Sequence, residues 1–199
     1  MAEAAGSRGA LVAVLAGGAG RRIGGAKPLA ALAGRPLISY PLRAARAARL
    51  EAIVVAKPDT SLPDLREPIV REPAEPRHPL CGVLAALAFA RGRPVITVGC
   101  DMPLLTGPLL AWLASQEGAA VASADGRVQP LLARHLGSEA PALAQALRAQ
   151  RSMTATLAAL PMRVLGEEHL SRFGDPRRLC FNVNRPQDLA LAETWLAEA

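Results

Sequence analysis

Two stretches of this sequence hold residues whose types and spacing suit phosphate chemistry. The first runs Leu15-Ala16-Gly17-Gly18-Ala19-Gly20-Arg21-Arg22-Ile23-Gly24-Gly25-Ala26-Lys27-Pro28-Leu29, with five glycines within residues 17–25 and three cations, Arg21, Arg22 and Lys27, in one loop. Glycine lets backbone approach a ligand closely and turn several N–H groups into one concavity, which suits phosphate oxygens. The second is Val95-Ile96-Thr97-Val98-Gly99-Cys100-Asp101-Met102-Pro103-Leu104, which sets a carboxylate just past an apolar run. Magnesium takes a few carboxylate oxygens together with substrate phosphates, so Asp101 is well suited as an Mg2+ ligand. Taken singly, the loop is also explained as a plain turn with solvated arginines, and Asp101 as the cap of the next helix. The loop's place at the carboxyl end of the first strand favours a ligand there, while Asp101 stays open between a metal ligand and a cap.

Two familiar phosphate loops do not fit. The dinucleotide pattern G-x-G-x-x-G fails at its third glycine, because Ile23 follows Gly18-Ala19-Gly20-Arg21-Arg22. A Walker A loop needs Gly-Lys-Ser/Thr, whereas Ala26 separates Gly25 from Lys27 and Pro28 offers no hydroxyl for magnesium. Cys100 reads as a small packed residue and not a nucleophile, since no histidine is near it in sequence.

The elements that must position these groups alternate. Residues 10–16, 51–56, 68–70 and 94–99 read as strands, the first apolar throughout and so buried on both faces. Residues 37–49 and 80–90 read as the helices between them, and Pro41 marks either the true start of the first or a kink. This rhythm implies a parallel sheet with helices on both faces. Beyond Asp101, a helix is expected at 106–116 and two strands at 119–123 and 128–133, joined across Asp125-Gly126. Helices at 138–150 and 152–160, a strand at 162–165 and a closing helix at 186–197 complete the reading, with Asn184 or Arg185 near the last cap. No linker or repeat divides the chain, so one domain over 1–199 is expected, with a tail of about nine residues.

Composition narrows the function classes. With 51% hydrophobic and 20% charged residues, the chain can build a core and is not a disordered segment. Its apolar runs are interrupted too early to span a membrane, and residues 1–8 lack the pattern of a signal peptide, so a cytoplasmic protein is expected. Cys81, Cys100 and Cys180 are odd in number and far apart, which excludes a disulfide framework or a CxxC zinc site. The net charge of +6 favours anionic partners, yet 21 of the 23 basic residues are Arg and 41 residues are Ala, so compositional bias explains it equally well. Six aromatic residues are too few for a base-stacking nucleic-acid platform, and no nucleic-acid partner is expected.

The loop also matches L-A-G-G-x-x-x-R-x-G-x-x-K at Leu15, Ala16, Gly17, Gly18, Arg22, Gly24 and Lys27, continued by Leu29, Gly34, Pro36 and Leu37. In this it resembles the nucleotidyltransferases of the molybdenum-cofactor guanylyltransferase family. Four further segments follow in that family's order: Pro79-Leu80-Cys81-Gly82, Cys100-Asp101-Met102-Pro103, Asp125-Gly126 with Pro130-Leu131, and Asn182-Val183-Asn184-Arg185-Pro186-Gln187-Asp188-Leu189. The resemblance spans about residues 10–195. His78 stands where such chains usually have glycine, Ala26 where many have Asp, and Ala56-Lys57 where an asparagine is common. His78 either faces substrate or is an incidental loop residue.

The resemblance implies a Rossmann-like three-layer α/β/α fold with a mostly parallel central sheet, of the nucleotide-diphospho-sugar transferase type. It implies Mg2+-dependent transfer of GMP from GTP to the phosphate of molybdopterin or its molybdenum-loaded form, with release of pyrophosphate. Lys27, Arg22 and Asp101 would then be catalytic. Leu15, Ala16, Gly17, Gly18, Arg21, Leu80 and Gly82 would join them around the nucleotide, and Asn182, Asn184 and Pro130 would meet the acceptor. A transferase using CTP, or another phosphate acceptor such as a sugar phosphate or a phospholactate-like compound, is the first alternative. A non-catalytic nucleotide-binding module is the second. A monomer is compatible with all of these.

Overall fold

The computed structural model of the protein describes residues 9–18 and 26–198. Leu11–Leu15 forms β1, buried along its whole length. A two-residue ribbon, β2 (Ala31–Leu32) and β3 (Arg35–Pro36), turns at Ala33 and Gly34, whose φ angles of 45° and 73° are left-handed. Next come α1 (Ser39–Ala47), β4 (Ala52–Ala56), β5 (Ile69–Arg71), α2 (Pro79–Ala90), β6 (Val95–Gly99) and α3 (Gly107–Ala114). The second half holds β7 (Ala120–Ala124), β8 (Arg127–His135), α4 (Ala140–Arg148), α5 (Met153–Ala158) and β9 (Arg163–Leu165), then the short α6 (Glu167–Leu170) and α7 (Pro176–Leu179), and α8 (Pro186–Ala197).

Seven strands make one sheet in the order β5-β4-β1-β6-β8-β7-β9. Its pairings are parallel except at β8, which runs antiparallel to both β6 and β7. The alternation of strand side chains divides the core. Val12, Val14 and Ala16 pack with α1 and α3, while Leu11, Ala13 and Leu15 pack with α2 and α4. Withdrawing each such Val or Leu from water stabilises the fold by roughly 2 kcal/mol. The result is the three-layer, mostly parallel architecture that the strand–helix rhythm implies.

A third, smaller cluster of Leu32, Leu37, Val183 and Ala192 ties the ribbon to α8 and the segment before it. It brings residues 26–29 and 181–185 to the same side of the sheet. Bonds from Leu37 N–H to Ala30 O (2.9 Å) and Ile38 N–H to Pro28 O (3.3 Å) hold the ribbon's entry in place.

Several boundaries differ from those expected. The helix read at 37–49 occupies Ser39–Ala47, and Pro41 sits in its first turn, where the missing N–H has no intrahelical partner to lose. The strand read at 128–133 extends over Arg127–His135, and the helix read at 138–150 begins as a 3-10 turn, Gly137–Glu139, before α4. The four-residue α6 and α7 are too short to leave a hydrophobic period in sequence. Among the described residues, no helix is long and apolar enough to cross a membrane.

Candidate active site

β1, β4, β5 and β6 run the same way, so the residues that follow them gather along one edge of the sheet, where open α/β sheets bind ligands. Gly17 and Gly18 follow β1, Lys57 follows β4, Glu72 follows β5 and Asp101 follows β6. With Lys27 and residues 77–79 and 82 they line a cleft of about 350 Å³. That volume is in the range of small-molecule sites.

Asp101 reaches the cleft because the β1–β6 ladder continues past the strands, with Cys100 N–H donating to Leu15 O at 3.1 Å. Its carboxylate folds back over Gly99, where a Cβ would stand 2.3 Å from Oδ1. Gly99→Ala must therefore displace the carboxylate although it touches no reacting group. Turnover is expected to fall about 10²-fold, the scale that a 1 Å misplacement costs, with the fold retained by circular dichroism. Activity within threefold of the parent would show that the carboxylate's position is not critical.

Lys27 opens a 3-10 turn, Lys27–Leu29, anchored by the buried Pro28. Its ammonium donates to the Asp101 carboxylate, 74 positions away, and to Asn184 Oδ1 at 2.9 Å, 157 positions away. The Lys27 and Asp101 side chains are only 14% and 11% exposed, so little water screens them from a bound anion or cation. Asn184 is delivered by backbone. Val183, fully buried, donates its N–H to Asp101 O at 2.9 Å, and the Asp188 carboxylate accepts from the N–H groups of Asn184 (2.7 Å) and Arg185 (2.8 Å). Asp188 thus does the capping of α8, which leaves the Asn184 amide free to meet Lys27.

Deeper in the cleft lies a pair absent from the sequence-level candidates. Lys57 is 1% and Glu72 5% exposed. The Lys57 ammonium donates to Pro73 O (2.6 Å) and Pro76 O (2.9 Å) and stands 3.6 Å from Glu72 Oε2. Burial raises the Glu72 carboxyl above its ordinary pKa, and Lys57 opposes that shift. The carboxylate lies directly beneath the phosphate-type loop, for a Cβ on Gly17 would sit 2.1 Å from Glu72 Oε1. A compact ammonium satisfies three directions here that a planar guanidinium could not. The two lysines of this arginine-rich chain therefore line one cleft.

Lys57→Met should destabilise the protein by about 3 kcal/mol, the cost of leaving a buried charge unpaired. Without the ammonium, the folded pKa of Glu72 rises further above its unfolded value. The penalty is then present above the folded pKa and relieved as pH falls through it. Thermal melts should show a larger loss of Tm near pH 8 than near pH 5, and an equal loss at both would remove Glu72 from the explanation.

The remaining sequence-level candidates divide. Leu15, Gly17, Gly18 and Gly82 line the cleft. Ala16 and Leu80 are fully buried in the core beside it, and their amides are occupied, by Val55 O and by His78 Nδ1 respectively. His78 is the N-cap of α2. That bond gives it a structural reason to stand where glycine is usual. Pro130 is half-buried and lies on neither cavity wall, while its neighbours Leu131 and Gln129 line the cleft and an adjoining cavity. Asn182 faces that second cavity, donating to Cys180 O at 2.9 Å. Arg21 and Arg22, with Gly20 and Gly24, lie outside the described residues. Burial pushes the Cys100 thiol up and the Cys180 thiol up to about 12, so neither is a thiolate nucleophile at neutral pH. Lys57 and Glu72 carried one sequence signal: like Asp101, each directly follows a strand of the parallel sheet.

The donor set suits a hard cation. The Asp101 carboxylate and the Asn184 amide oxygen both offer oxygen beside the cleft, and no cluster of three or more His, Cys, Asp or Glu occurs among the described residues. An ion with few protein ligands, completed by phosphate and water, fits such a site.

The family model of the MobA-like NTP transferase domain matches residues 12–164. The chain belongs to the MobA-like NTP transferase family. This nucleotidyltransferase is 36% identical to the molybdenum cofactor guanylyltransferase of Cereibacter sphaeroides, over 92% of this chain and 95% of that protein. It is 30% identical to the molybdenum cofactor guanylyltransferase of Rhizobium leguminosarum bv. trifolii, over 92% and 91%. Molybdopterin-guanine dinucleotide biosynthesis protein A from Archaeoglobus fulgidus superposes with a TM-score of 0.80 at 27% identity, covering 95% of this chain and 100% of that one. The 2-C-methyl-D-erythritol 4-phosphate cytidylyltransferase of Thermus thermophilus, at 21% identity, shares the fold with a TM-score of 0.65 over 96% and 99%.

Proposed function

We propose that this transferase moves GMP from GTP to the terminal phosphate of molybdopterin, or of its molybdenum-loaded form, in the cytoplasm. The observation that carries the reading is that the Lys27 ammonium bonds both Asp101 and Asn184 beside a cleft that Gly17 and Gly18 line. The names of the relatives supply the nucleotide and the acceptor.

In this reading Gly17 and Gly18 let backbone close on the nucleotide, with Arg21 and Arg22 carried on the same loop. An oxygen of the acceptor phosphate attacks the α-phosphorus of GTP, the bond to the bridging oxygen breaks, and pyrophosphate leaves. The attacking phosphate is already ionised, so no general base is needed. The Lys27 ammonium stabilises charge gathering on the transferred and departing phosphates in a site with little water. Asn184 holds that ammonium and faces the acceptor side. Asp101, with the Asn184 oxygen near it, would hold Mg2+. When bound, that ion neutralises phosphate oxygens and draws electrons from the α-phosphorus.

The test is pyrophosphate release from the purified protein with Mg2+, molybdopterin and each of GTP, CTP, ATP and UTP. A clear preference for GTP is expected. Preference for CTP would overturn the guanylyl assignment, and binding of nucleotide without any release would overturn catalysis.

A further inference from the structure

The cleft has two ends. Asp101, with Lys27 bonded to it, stands where β6 stops, while Lys57 and Glu72 follow β4 and β5, on the far side of β1 in the sheet. A nucleotide with its phosphates at Lys27 therefore runs its nucleoside past Gly17 toward β4 and β5. The first turn of α2 closes that end. A Cβ on its Gly82 would stand 3.6 Å from Glu72 Oε2, and His78, its N-cap, lines the cleft.

The cations at this end are already engaged. Lys57 donates to Pro73 O and Pro76 O and faces Glu72. Arg77 pairs with Asp59 and, at 3.5 Å, with Glu75. His78 differs from both. Its Nδ1 accepts the Leu80 N–H at 3.1 Å. A ring nitrogen that accepts carries no proton, so the neutral imidazole bears its proton on Nε2. Among the described residues that N–H has no protein partner, although the ring is half-buried against the cleft. The cap thus fixes both the tautomer and the placement of the ring before any ligand arrives. Capping alone needs no second nitrogen, because asparagine and serine are good N-caps without one.

We propose that His78 is a nucleotide-binding residue whose Nε2–H donates to an oxygen of the nucleoside, either a base carbonyl or a ribose hydroxyl. The inference rests on the nucleotide reading above, and it adds a contact that glycine at this position could not make. Because the cap already orders the ring, little conformational freedom is lost when the bond forms.

His78→Asn separates the two tasks, since it keeps a cap for α2 and lacks the Nε2–H. Calorimetric titration with GTP and Mg2+ should show Kd raised about fivefold in this variant, with Tm unchanged. Should its Tm fall, His78→Ser, which also caps, serves in its place. A Kd equal to the parent's would leave His78 as a cap alone and overturn the inference, with the transferase reading intact. Analogues separate the two oxygen sources. If the base carbonyl is the acceptor, the triphosphate of 2-aminopurine riboside, which lacks that oxygen, binds parent and variant equally. If a ribose hydroxyl is the acceptor, 2′-deoxy-GTP or 3′-deoxy-GTP does so. A loss that persists with all three moves the contact off the nucleoside oxygens and overturns the inference. If the parent binds CTP, ATP or UTP and not GTP, the guanylyl reading fails, and the same comparison of parent and variant with that nucleotide decides His78. Binding of none overturns both.

Discussion

Asp101→Asn should lower turnover by about 10³-fold while leaving the fold in place, since removing the anchor of a Lewis-acid ion forfeits roughly 4 kcal/mol of transition-state stabilisation. Asparagine has the same shape and cannot offer an ionised oxygen to a divalent cation. The backbone contribution of this residue persists, because it is the Asp101 carbonyl that accepts Val183 N–H and docks the Asn182–Asn184 segment. The ion pair with Lys27 is largely buried, its side chains 14% and 11% exposed, so losing it should cost about 3 kcal/mol and lower Tm with the native circular dichroism retained. Pyrophosphate release and a thermal melt on the same sample separate the two effects. A variant that keeps more than a tenth of parental turnover would remove Asp101 from metal binding.

Lys27→Met should cost about 10²–10³-fold in kcat, the range for losing one preorganised charge aimed at a transition state. Methionine preserves the length and apolar stem of the side chain, so the 3-10 turn over Lys27–Leu29 and the buried Pro28 should be undisturbed. Lys27→Arg should recover less than a tenth of the activity. A planar guanidinium cannot sit between the Asp101 carboxylate and Asn184 Oδ1 as a compact ammonium does. If kcat held while only the KM for GTP rose, Lys27 would be a ground-state binding group and the mechanism above would lose its electrostatic centre.

The strands around the site were legible because burial on both faces demands continuous apolar runs, and 10–16, 51–56 and 94–99 contain β1, β4 and β6 entire. The last cap was legible in part: Pro186 opens α8 and Arg185, one of the two residues expected near its cap, is the N-cap, while the side chain that accepts the free N–H groups there is that of Asp188. The glycine loop, Lys27 and Asp101 were visible as residue types after strands. Lys57 and Glu72 were not, since a lysine after a strand normally reads as solvated, and its burial depends on the carbonyls of Pro73 and Pro76, which only the folded loop presents.

By itself, then, the order of apolar runs and glycines determined a parallel α/β chain with a phosphate-type loop at one sheet edge, because backbone geometry and burial are local demands that each segment must meet alone. Tertiary structure decided which distant groups meet. The contact of Lys27 with Asp101 and Asn184, the space that Gly99 leaves for a carboxylate, and the sealing of Lys57 with Glu72 beneath Gly17 depend on register and on close approach of separate segments. Neither composition nor spacing encodes those distances: the packing of α8 and the β2–β3 ribbon through Leu32, Leu37, Val183 and Ala192 brings Asn184 to Lys27, and the register of β1, β4, β5 and β6 sets the others.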